Sequence, residues 1–232
     1  MILPIILAAG MLFFLSCCKE DNSQYPAADI DAFAKKWMKA GKIPGMAVGV
    51  IRNNKVIFLK GYGYADIKTL RPVTAQTTFF IASGAKSFTS MMLGLLVNEG
   101  KLEWDKPIRN YLPGFKMVDS FAARHLSTRD LLCHRIGLPK NDRVWKRYIG
   151  TQNTRRDFMK EFSSIKPIFS FRENFKYQNL GYILAAHTAE TLTGSSWEEM
   201  VRERIFKPLG MNNSTFSIEE IKIRLSLFHY PG

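Results

Sequence analysis

The segment from Phe79 to Lys101 constrains the fold most, because it is a long apolar stretch that begins with two reactive polar side chains. Its pattern predicts a helix on which Ser83 and Lys86, three positions apart, share one face. Free N–H groups and the positive dipole end at the helix N-terminus favour an alkoxide on Ser83 and disfavour a charged Lys86. The pair is therefore a candidate nucleophile with its own base. So short a motif also recurs by chance, and on these two residues alone a structural role stays open.

The chain is apolar enough to bury a core, and it is strongly basic. Of its 232 residues 46% are hydrophobic, which suits one large domain or two small ones. The formal net charge is +13, and the segment from Arg135 to Lys176 holds eleven Lys or Arg against four Asp or Glu. No RNP, zinc-finger or helix-turn-helix signature accompanies these charges. We therefore predict a solvated basic face and no nucleic-acid partner, with binding to an anionic cell-envelope polymer as an alternative.

The first residues are typical of an export signal. The apolar run from Ile2 to Leu15 is shorter than the roughly 20 residues that a membrane-spanning helix needs, and it fits the core of a secretory signal. With Cys17 and Cys18 behind it, the segment resembles a bacterial lipoprotein signal, in which Leu15 favours lipidation of Cys18 and Ser16 favours Cys17. We predict a signal or lipoprotein segment at residues 1–18, a polar tether at 19–27, and an exported, membrane-anchored protein facing the periplasm or the cell surface. A plain cleaved signal remains the alternative.

A helix and a hairpin follow the tether. Apolar residues between Asp29 and Ala40 recur at helical spacing, which predicts an amphipathic helix. Two β-rich segments, from Gly45 to Ile51 and from Val56 to Tyr64, flank a turn with two Asn, which predicts a β-hairpin. The polar stretch at residues 66–78 predicts a plain connection. We place the helix and the hairpin in one subdomain at residues 28–66.

A short helix further along the chain ends in a histidine. Ser127 and Asp130 have the spacing of a capping box that opens this helix, and His134 lies at its end. A lone His there is more often a structural hydrogen-bonding residue than a catalytic one. The neighbouring Cys133 is predicted to be a small core residue. A catalytic Cys–His dyad with His134 is disfavoured, because adjacent helix positions face different ways.

A Tyr and an Asn precede the next apolar run. Tyr177 and Asn179 lie just before the stretch from Leu180 to Leu192, which predicts a helix. A phenol and an amide at the mouth of a helix suit proton transfer and carbonyl binding. Taken alone, Tyr177 is equally well explained as a packed aromatic residue.

The order of these motifs is more specific than any one of them. It is carried by FFIASGAKSFT at Phe79–Thr89, DLLCH at Asp130–His134, GLP at Gly137–Pro139, YQNLGY at Tyr177–Tyr182 and PLGM at Pro208–Met211. This ordered set, spread from about Ile30 to Phe216, resembles the serine β-lactamase-related family of class C β-lactamases, penicillin-binding D,D-peptidases and related esterases. The resemblance implies an α+β fold, in which an antiparallel sheet with flanking helices accompanies a mostly helical subdomain, here at residues 67–218.

The resemblance also implies a chemistry. Ser83 would attack a peptide, β-lactam or ester carbonyl and form an acyl-enzyme, while Lys86 and Tyr177 share the proton transfers. Asn179 would hold the substrate amide, and the backbone N–H of Ser83 would supply one oxyanion donor. His134 would be structural. The implied partner is a small-molecule or peptide acyl substrate, with no metal or nucleotide cofactor. We expect the chain to be a monomer.

Several positions depart from the family pattern. The family carries a Lys-Thr-Gly or His-x-Gly strand well after the Pro-Leu-Gly-Met segment, and this sequence has no such motif before Gly232. We therefore expect a C-terminally truncated chain that lacks the last strands of the sheet and ends in an aberrant tail at residues 219–232. A non-catalytic remnant or a cell-envelope binding protein is the alternative function. Arg135 and Arg172 also occupy positions where the family has other residues, small hydroxylic ones and a Pro-Gly turn respectively.

Overall fold

The structure, a computed structural model, describes residues 27–140 and 154–217. It forms two compact units, with the boundary between Thr77 and Thr78. The predicted signal at residues 1–18, the predicted tail at 219–232 and all but the last residue of the predicted tether lie outside the described residues.

The first unit contains the predicted helix and hairpin. Helix α1 spans Ala27–Ala40, strand β1 spans Gly45–Arg52 and strand β2 spans Lys55–Asp66. The two strands pair antiparallel, from Gly45 opposite Gly63 to Arg52 opposite Lys55. Asn53 and Asn54 both have positive φ, 49° and 58°, as the tight turns between hairpin strands require. The helix and the hairpin predicted from the sequence are confirmed.

The stretch after the hairpin is more ordered than its composition predicted. Within the expected connection at residues 66–78, Arg71–Pro72 form a short strand β3 that pairs antiparallel with β2, so the sheet has the order β1-β2-β3. Pro72 has no N–H to donate, but a proline is tolerated at the edge of a sheet. The turn that reverses the chain is closed by the Asp66 carboxylate, which accepts the backbone N–H groups of Lys68 and Thr69.

A polar cluster joins α1 to β2. The Asp31 carboxylate accepts hydrogen bonds from the Tyr62 hydroxyl at 2.9 Å and from Lys60 Nζ at 2.6 Å, and it pairs with Lys35 Nζ at 2.7 Å. These donors hold the pKa of Asp31 below its usual value. Burial and the neighbouring carboxylate raise the pKa of Tyr62 to about 12. The buried phenol therefore stays protonated and remains a donor to Asp31.

The second unit is mostly helical. The described residues form α2 (Lys86–Asn98), α3 (Ser120–His125), α4 (Thr128–Leu132), α5 (Arg155–Glu161), α6 (Asn179–Thr193) and α7 (Trp197–Val201), which continues as a π-helical turn over Arg202–Phe206. The predicted capping box opens α4: Ser127 Oγ and the Asp130 carboxylate each hydrogen-bond the other's backbone N–H. Helices also begin after Thr154, Gln178 and Ser196, and the second of these is the helix predicted from the apolar run between Leu180 and Leu192.

The core of this unit lies between the two apolar helices. Fully buried side chains on α2 face fully buried side chains on α6: Met92, Leu93, Leu96, Leu180 and Leu184. Burying each of these side chains contributes about 1.5–3 kcal/mol relative to exposure. The packing of α2 against α6 is important because the candidate site is built from the N-terminal ends of both helices. Among the described residues, no helix is both long and apolar enough to cross a membrane.

Candidate functional site

Ser83 lies in a tight turn that leads into α2. The sequence predicted one helix carrying Ser83 and Lys86, but Ala82–Ala85 form a 3-10 turn and α2 begins at Lys86. Ala82 has φ +44°, a left-handed conformation that non-glycine residues seldom adopt. The 3-10 turn is continuous with α2, and it leaves the Ser83 side chain exposed while Lys86 is half-buried. Ser83 is therefore accessible to a substrate and Lys86 is partly shielded from water.

The structure brings Tyr177 and Lys86 to Ser83. The Tyr177 hydroxyl lies 2.7 Å from Ser83 Oγ, and Lys86 Nζ lies 3.2 Å from the same oxygen. Ser83 and Tyr177 are 94 residues apart in sequence, so the fold alone creates this contact. Both distances are within range for direct proton transfer to or from Ser83 Oγ.

Asn179 completes a connected polar network. Lys86 Nζ donates to Asn179 Oδ1 at 2.8 Å, so the amine links the serine to the amide. Lys86 Nζ also lies 4.9 Å from the ring centroid of Tyr177 and 5.4 Å from that of Tyr182. Both distances are typical of cation–π contacts. The site residues predicted from the sequence, Ser83, Lys86, Tyr177 and Asn179, thus meet in one cluster.

The N-terminal end of α6 holds Tyr177 and Asn179 in place. Asn179 is the first residue of α6, and Gln178 before it is the N-cap, whose side-chain oxygen accepts the N–H of Leu180. Gln178 is buried, and its Nε2 donates to the carbonyl of Pro139. Sequence reasoning missed this residue, although its position before an apolar helix is the usual place for a cap. Gln178 fixes the backbone between the two site residues.

A partly buried ion pair braces the segment that leads to Tyr177. Arg172 Nε and Nη2 donate to the Asp130 carboxylate at 2.8 and 2.7 Å, and Ser127 donates to it through its N–H and hydroxyl. Burial opposes the ionisation of Asp130, but the bonds from Arg172 and Ser127 outweigh it and hold the pKa of Asp130 below its usual value. Arg172 has φ +66°, so a left-handed residue stands where the family commonly has a Pro-Gly turn. The sequence contained no sign of this pairing.

Two further predicted residues lie near the cluster. His134, predicted to be structural, is buried against Tyr177. Cys133 was predicted to be a core residue, but it is exposed, because it is the C-cap of α4 and lies outside the helical face that packs on α6.

Cys17 and Cys18, the candidates for lipidation, lie outside the described residues. So do residues 141–153, which belong to the basic segment from Arg135 to Lys176.

The comparisons with known proteins agree with this architecture. The sequence profile of the family described as Beta-lactamase matches residues 30–225. A hydrolase of unguisins from Aspergillus campestris is 30% identical over 209 residues, which cover 88% of this chain and 39% of that protein. The chain spans about two fifths of the length of the curated relatives that it matches.

Solved structures of the same fold align with most of the chain. The octameric penicillin-binding protein homologue from Pyrococcus abyssi superposes with a TM-score of 0.67 at 29% identity, over 85% of this chain and 46% of that one. The D-amino acid amidase from Ochrobactrum anthropi, in complex with L-phenylalanine amide, gives a TM-score of 0.63 at 31% identity, over 78% of this chain and 52% of that one. With its α+β architecture and its antiparallel sheet, the chain belongs to the Beta-lactamase family of serine hydrolases.

Proposed function

We propose that this chain is a serine hydrolase that transfers an acyl group through a covalent intermediate on Ser83. The observation that carries the proposal is the convergence on Ser83 Oγ of the Tyr177 hydroxyl at 2.7 Å and Lys86 Nζ at 3.2 Å. A serine hydroxyl is a weak nucleophile until a neighbouring base takes its proton. Lys86 Nζ and the Tyr177 hydroxyl, both within hydrogen-bonding distance of Ser83 Oγ, are the groups proposed to take this proton.

The proposed first step forms the acyl-enzyme. Ser83 Oγ bonds to the substrate carbonyl carbon while its proton passes to the pair formed by Lys86 and Tyr177. The pair then protonates the leaving nitrogen or oxygen as its bond to the carbonyl carbon breaks. In the second step, water attacks the acyl carbon and gives a proton to the same pair. The pair returns a proton to Ser83 Oγ as the bond between Oγ and the acyl carbon breaks and the acid departs. The backbone N–H of Ser83 is proposed as one oxyanion donor in both steps.

Asn179 is proposed to orient the substrate. Its Oδ1 accepts from Lys86 Nζ at 2.8 Å, which ties the amide to the amine that lies 3.2 Å from Ser83 Oγ. An amide nitrogen donates hydrogen bonds, so it suits a carbonyl oxygen of the substrate. Lys86 therefore has two proposed roles, since it exchanges protons with Ser83 and fixes the orientation of Asn179.

We propose peptide, β-lactam or ester carbonyls as the substrate class. The amidase structure with bound L-phenylalanine amide and the relative that hydrolyses unguisins support a small amide or peptide. The open position of Ser83 on the surface of its unit is compatible with any of these carbonyls.

A labelling experiment tests the proposed function. The full chain is incubated with a fluorophosphonate and, separately, with a fluorescent penicillin, and adducts are detected by gel fluorescence. We expect labelling by at least one probe that Ser83→Ala abolishes. Ser90→Ala is the matched control, because Ser90 lies on α2 and its hydroxyl donates to the carbonyl of Lys86 in the same helix, at 3.2 Å. Equal labelling of the wild type and Ser83→Ala, or no labelling of a folded wild type, would refute the proposal.

The location of the protein is a separate proposal. We infer export and anchoring through a lipid on Cys17 or Cys18, supported by the apolar run that precedes them. Cells that express the gene are fed a fatty-acid analogue, and the protein is isolated. Loss of the label in Cys17→Ser or Cys18→Ser identifies the modified residue, whereas unlabelled wild-type protein contradicts the proposal.

We also propose that the chain is a monomer. Since the homologue from Pyrococcus abyssi is an octamer, light scattering of the purified chain decides this point.

A further inference from the structure

His134 makes three contacts with the segment that carries Tyr177. Its carbonyl accepts the N–H of Lys176 at 2.9 Å, and its Nδ1 accepts the N–H of Gln178 at 3.0 Å. Its imidazole lies against the Tyr177 ring, with centroids 4.5 Å apart and planes tilted by 37°. A single residue thus binds the backbone on both sides of Tyr177 and supports its ring.

His134 is itself held firmly. It is 7% exposed and has φ +58°, so the chain turns sharply as it leaves α4. Its ring also lies 5.2 Å from the ring of Tyr182 and meets Phe175 edge-on at 5.5 Å. Tyr182 is anchored in turn by a hydrogen bond from its hydroxyl to the carbonyl of Leu132 at 3.1 Å. The His134 ring is therefore held in place by its neighbours and can in turn hold the ring of Tyr177 in place.

The contact with Gln178 defines the form of the imidazole. Because Nδ1 accepts a backbone N–H, the neutral ring carries its proton on Nε2. Burial lowers the pKa of His134, and the positive charge of Lys86 lowers it further. The other titratable side chains packed against the ring are Tyr177 and Tyr182. His134 is therefore available as an acceptor at neutral pH.

We propose that His134 is a positioning residue, which holds the Tyr177 hydroxyl at hydrogen-bonding distance from Ser83 by fixing both the backbone and the ring of Tyr177. The proposal rests on the proposed function, in which Tyr177 exchanges a proton with Ser83. Proton transfer depends steeply on donor–acceptor distance, and a displacement of about 1 Å can slow a reaction about a hundredfold. Among the described residues His134 has no hydrogen bond to Ser83, and the proposed role is exerted through Tyr177.

Two substitutions separate the parts of this role. His134→Asn places Oδ1 near the position of Nδ1, so it keeps the acceptor for Gln178, and Asn tolerates the left-handed backbone. It loses the ring behind Tyr177. His134→Phe keeps a ring but has no acceptor, and it leaves the buried N–H of Gln178 without its partner.

The test measures the rate at which a fluorophosphonate labels Ser83 in the folded fraction of each full-length variant. We expect His134→Asn to slow labelling about threefold to tenfold and His134→Phe to slow it tenfold or more, since a buried donor left unpaired costs more than a lost ring contact. Ile108→Val is the control for stability alone, because Ile108 is fully buried and takes no part in the cluster. It should lower Tm and leave the labelling rate unchanged.

A double-mutant cycle shows whether His134 acts through Tyr177. In a Tyr177→Phe background the hydroxyl is already absent, so His134→Asn should slow labelling no further. The same slowing in both backgrounds would overturn the proposal, as would wild-type rates in both folded His134 variants. If His134→Phe does not fold, the cycle with His134→Asn decides by itself.

Two outcomes distinguish the failure of this inference from failure of the proposed function. If the wild type is not labelled, the proposed function fails and the positioning role fails with it. If the wild type is labelled on Ser83 and the His134 variants match it, only the role of His134 is overturned. Amide hydrogen exchange gives a readout without activity: we expect the N–H of Gln178 to exchange faster in His134→Phe than in His134→Asn.

Discussion

Removal of Arg172 should destabilise the helical unit far more than removal of a comparable exposed arginine. The Asp130 carboxylate is 5% exposed and receives two of its hydrogen bonds from Arg172, at 2.7 and 2.8 Å. Breaking a buried pair by deleting one partner costs about 3–5 kcal/mol. The Arg172 side chain is 43% exposed and Ser127 keeps its bonds to Asp130, so water and Ser127 compensate in part. We expect Arg172→Ala to lower the unfolding free energy by about 2–3 kcal/mol.

The assay is thermal unfolding followed by circular dichroism. A loss of 2–3 kcal/mol corresponds to a fall in Tm of about 5–10 °C for a chain of this size. Arg129→Ala is the matched control, because Arg129 forms the same two-pronged bond with Asp105 at 2.6 and 2.8 Å, but both side chains are more than half exposed. It should leave Tm almost unchanged. Arg172→Gly loses the same pair but relieves the left-handed backbone, so its Tm should lie above that of Arg172→Ala.

The pH dependence gives a second check on the same pair. Because the folded pKa of Asp130 is lowered, its contribution to stability is present above the unfolded value of about 3.9 and is lost as pH falls through the folded pKa. The Tm difference between the wild type and Arg172→Ala should therefore be full at pH 7 and should narrow below about pH 4. Equal Tm shifts for Arg172→Ala and Arg129→Ala at pH 7 would refute the reasoning.

Three further predictions concern the packing and the site. Gly181→Ala should lower the unfolding free energy by about 1–3 kcal/mol, measured by urea denaturation, because its Cβ would lie 2.9 Å from a carbon of the Ile136 side chain. Tyr177→Phe should slow the labelling of Ser83 about a hundredfold, as loss of a general acid–base does, and an unchanged rate would exclude Tyr177 from proton transfer. Because the pKa of His134 is lowered in the folded state, the wild type should lose stability relative to His134→Asn as pH falls from about 6.5 towards the folded pKa. Above pH 6.5 the difference in unfolding free energy between the two proteins should be constant. A difference that stays constant down to pH 5 would contradict this prediction.

Much of the fold is encoded in local patterns that can be read from the sequence. The hairpin follows from two β-rich segments around Asn53 and Asn54, which tolerate positive φ. The capping box of Ser127 and Asp130 needs only a three-residue spacing. Ser83 and Lys86 were predicted to share a face for the same reason, and the 3-10 turn brings them within 3.2 Å. Each of these signals lies within one turn or one strand pair.

Other features depend on contacts between distant parts of the chain. Arg172 pairs with Asp130 across 42 residues, and a carboxylate already explained by a capping box gave no reason to expect a second partner. The buried position of Gln178 depends on its bond to Pro139, 39 residues away. Nothing in the polar stretch after the hairpin predicted strand β3, because a two-residue strand has no periodicity to detect. The contact of Tyr177 with Ser83 was expected only from the family resemblance.

The central claim is that Ser83 carries the acyl group. The most direct measurement is the intact mass of the full chain, quenched at short times during reaction with an activated aryl ester, followed by peptide mapping. The account predicts a mass increase equal to the acyl group, located on the peptide that contains Ser83 and absent in Ser83→Ala. Ester hydrolysis that persists at the same rate in Ser83→Ala, or an acyl group located on another residue of the wild type, would contradict it.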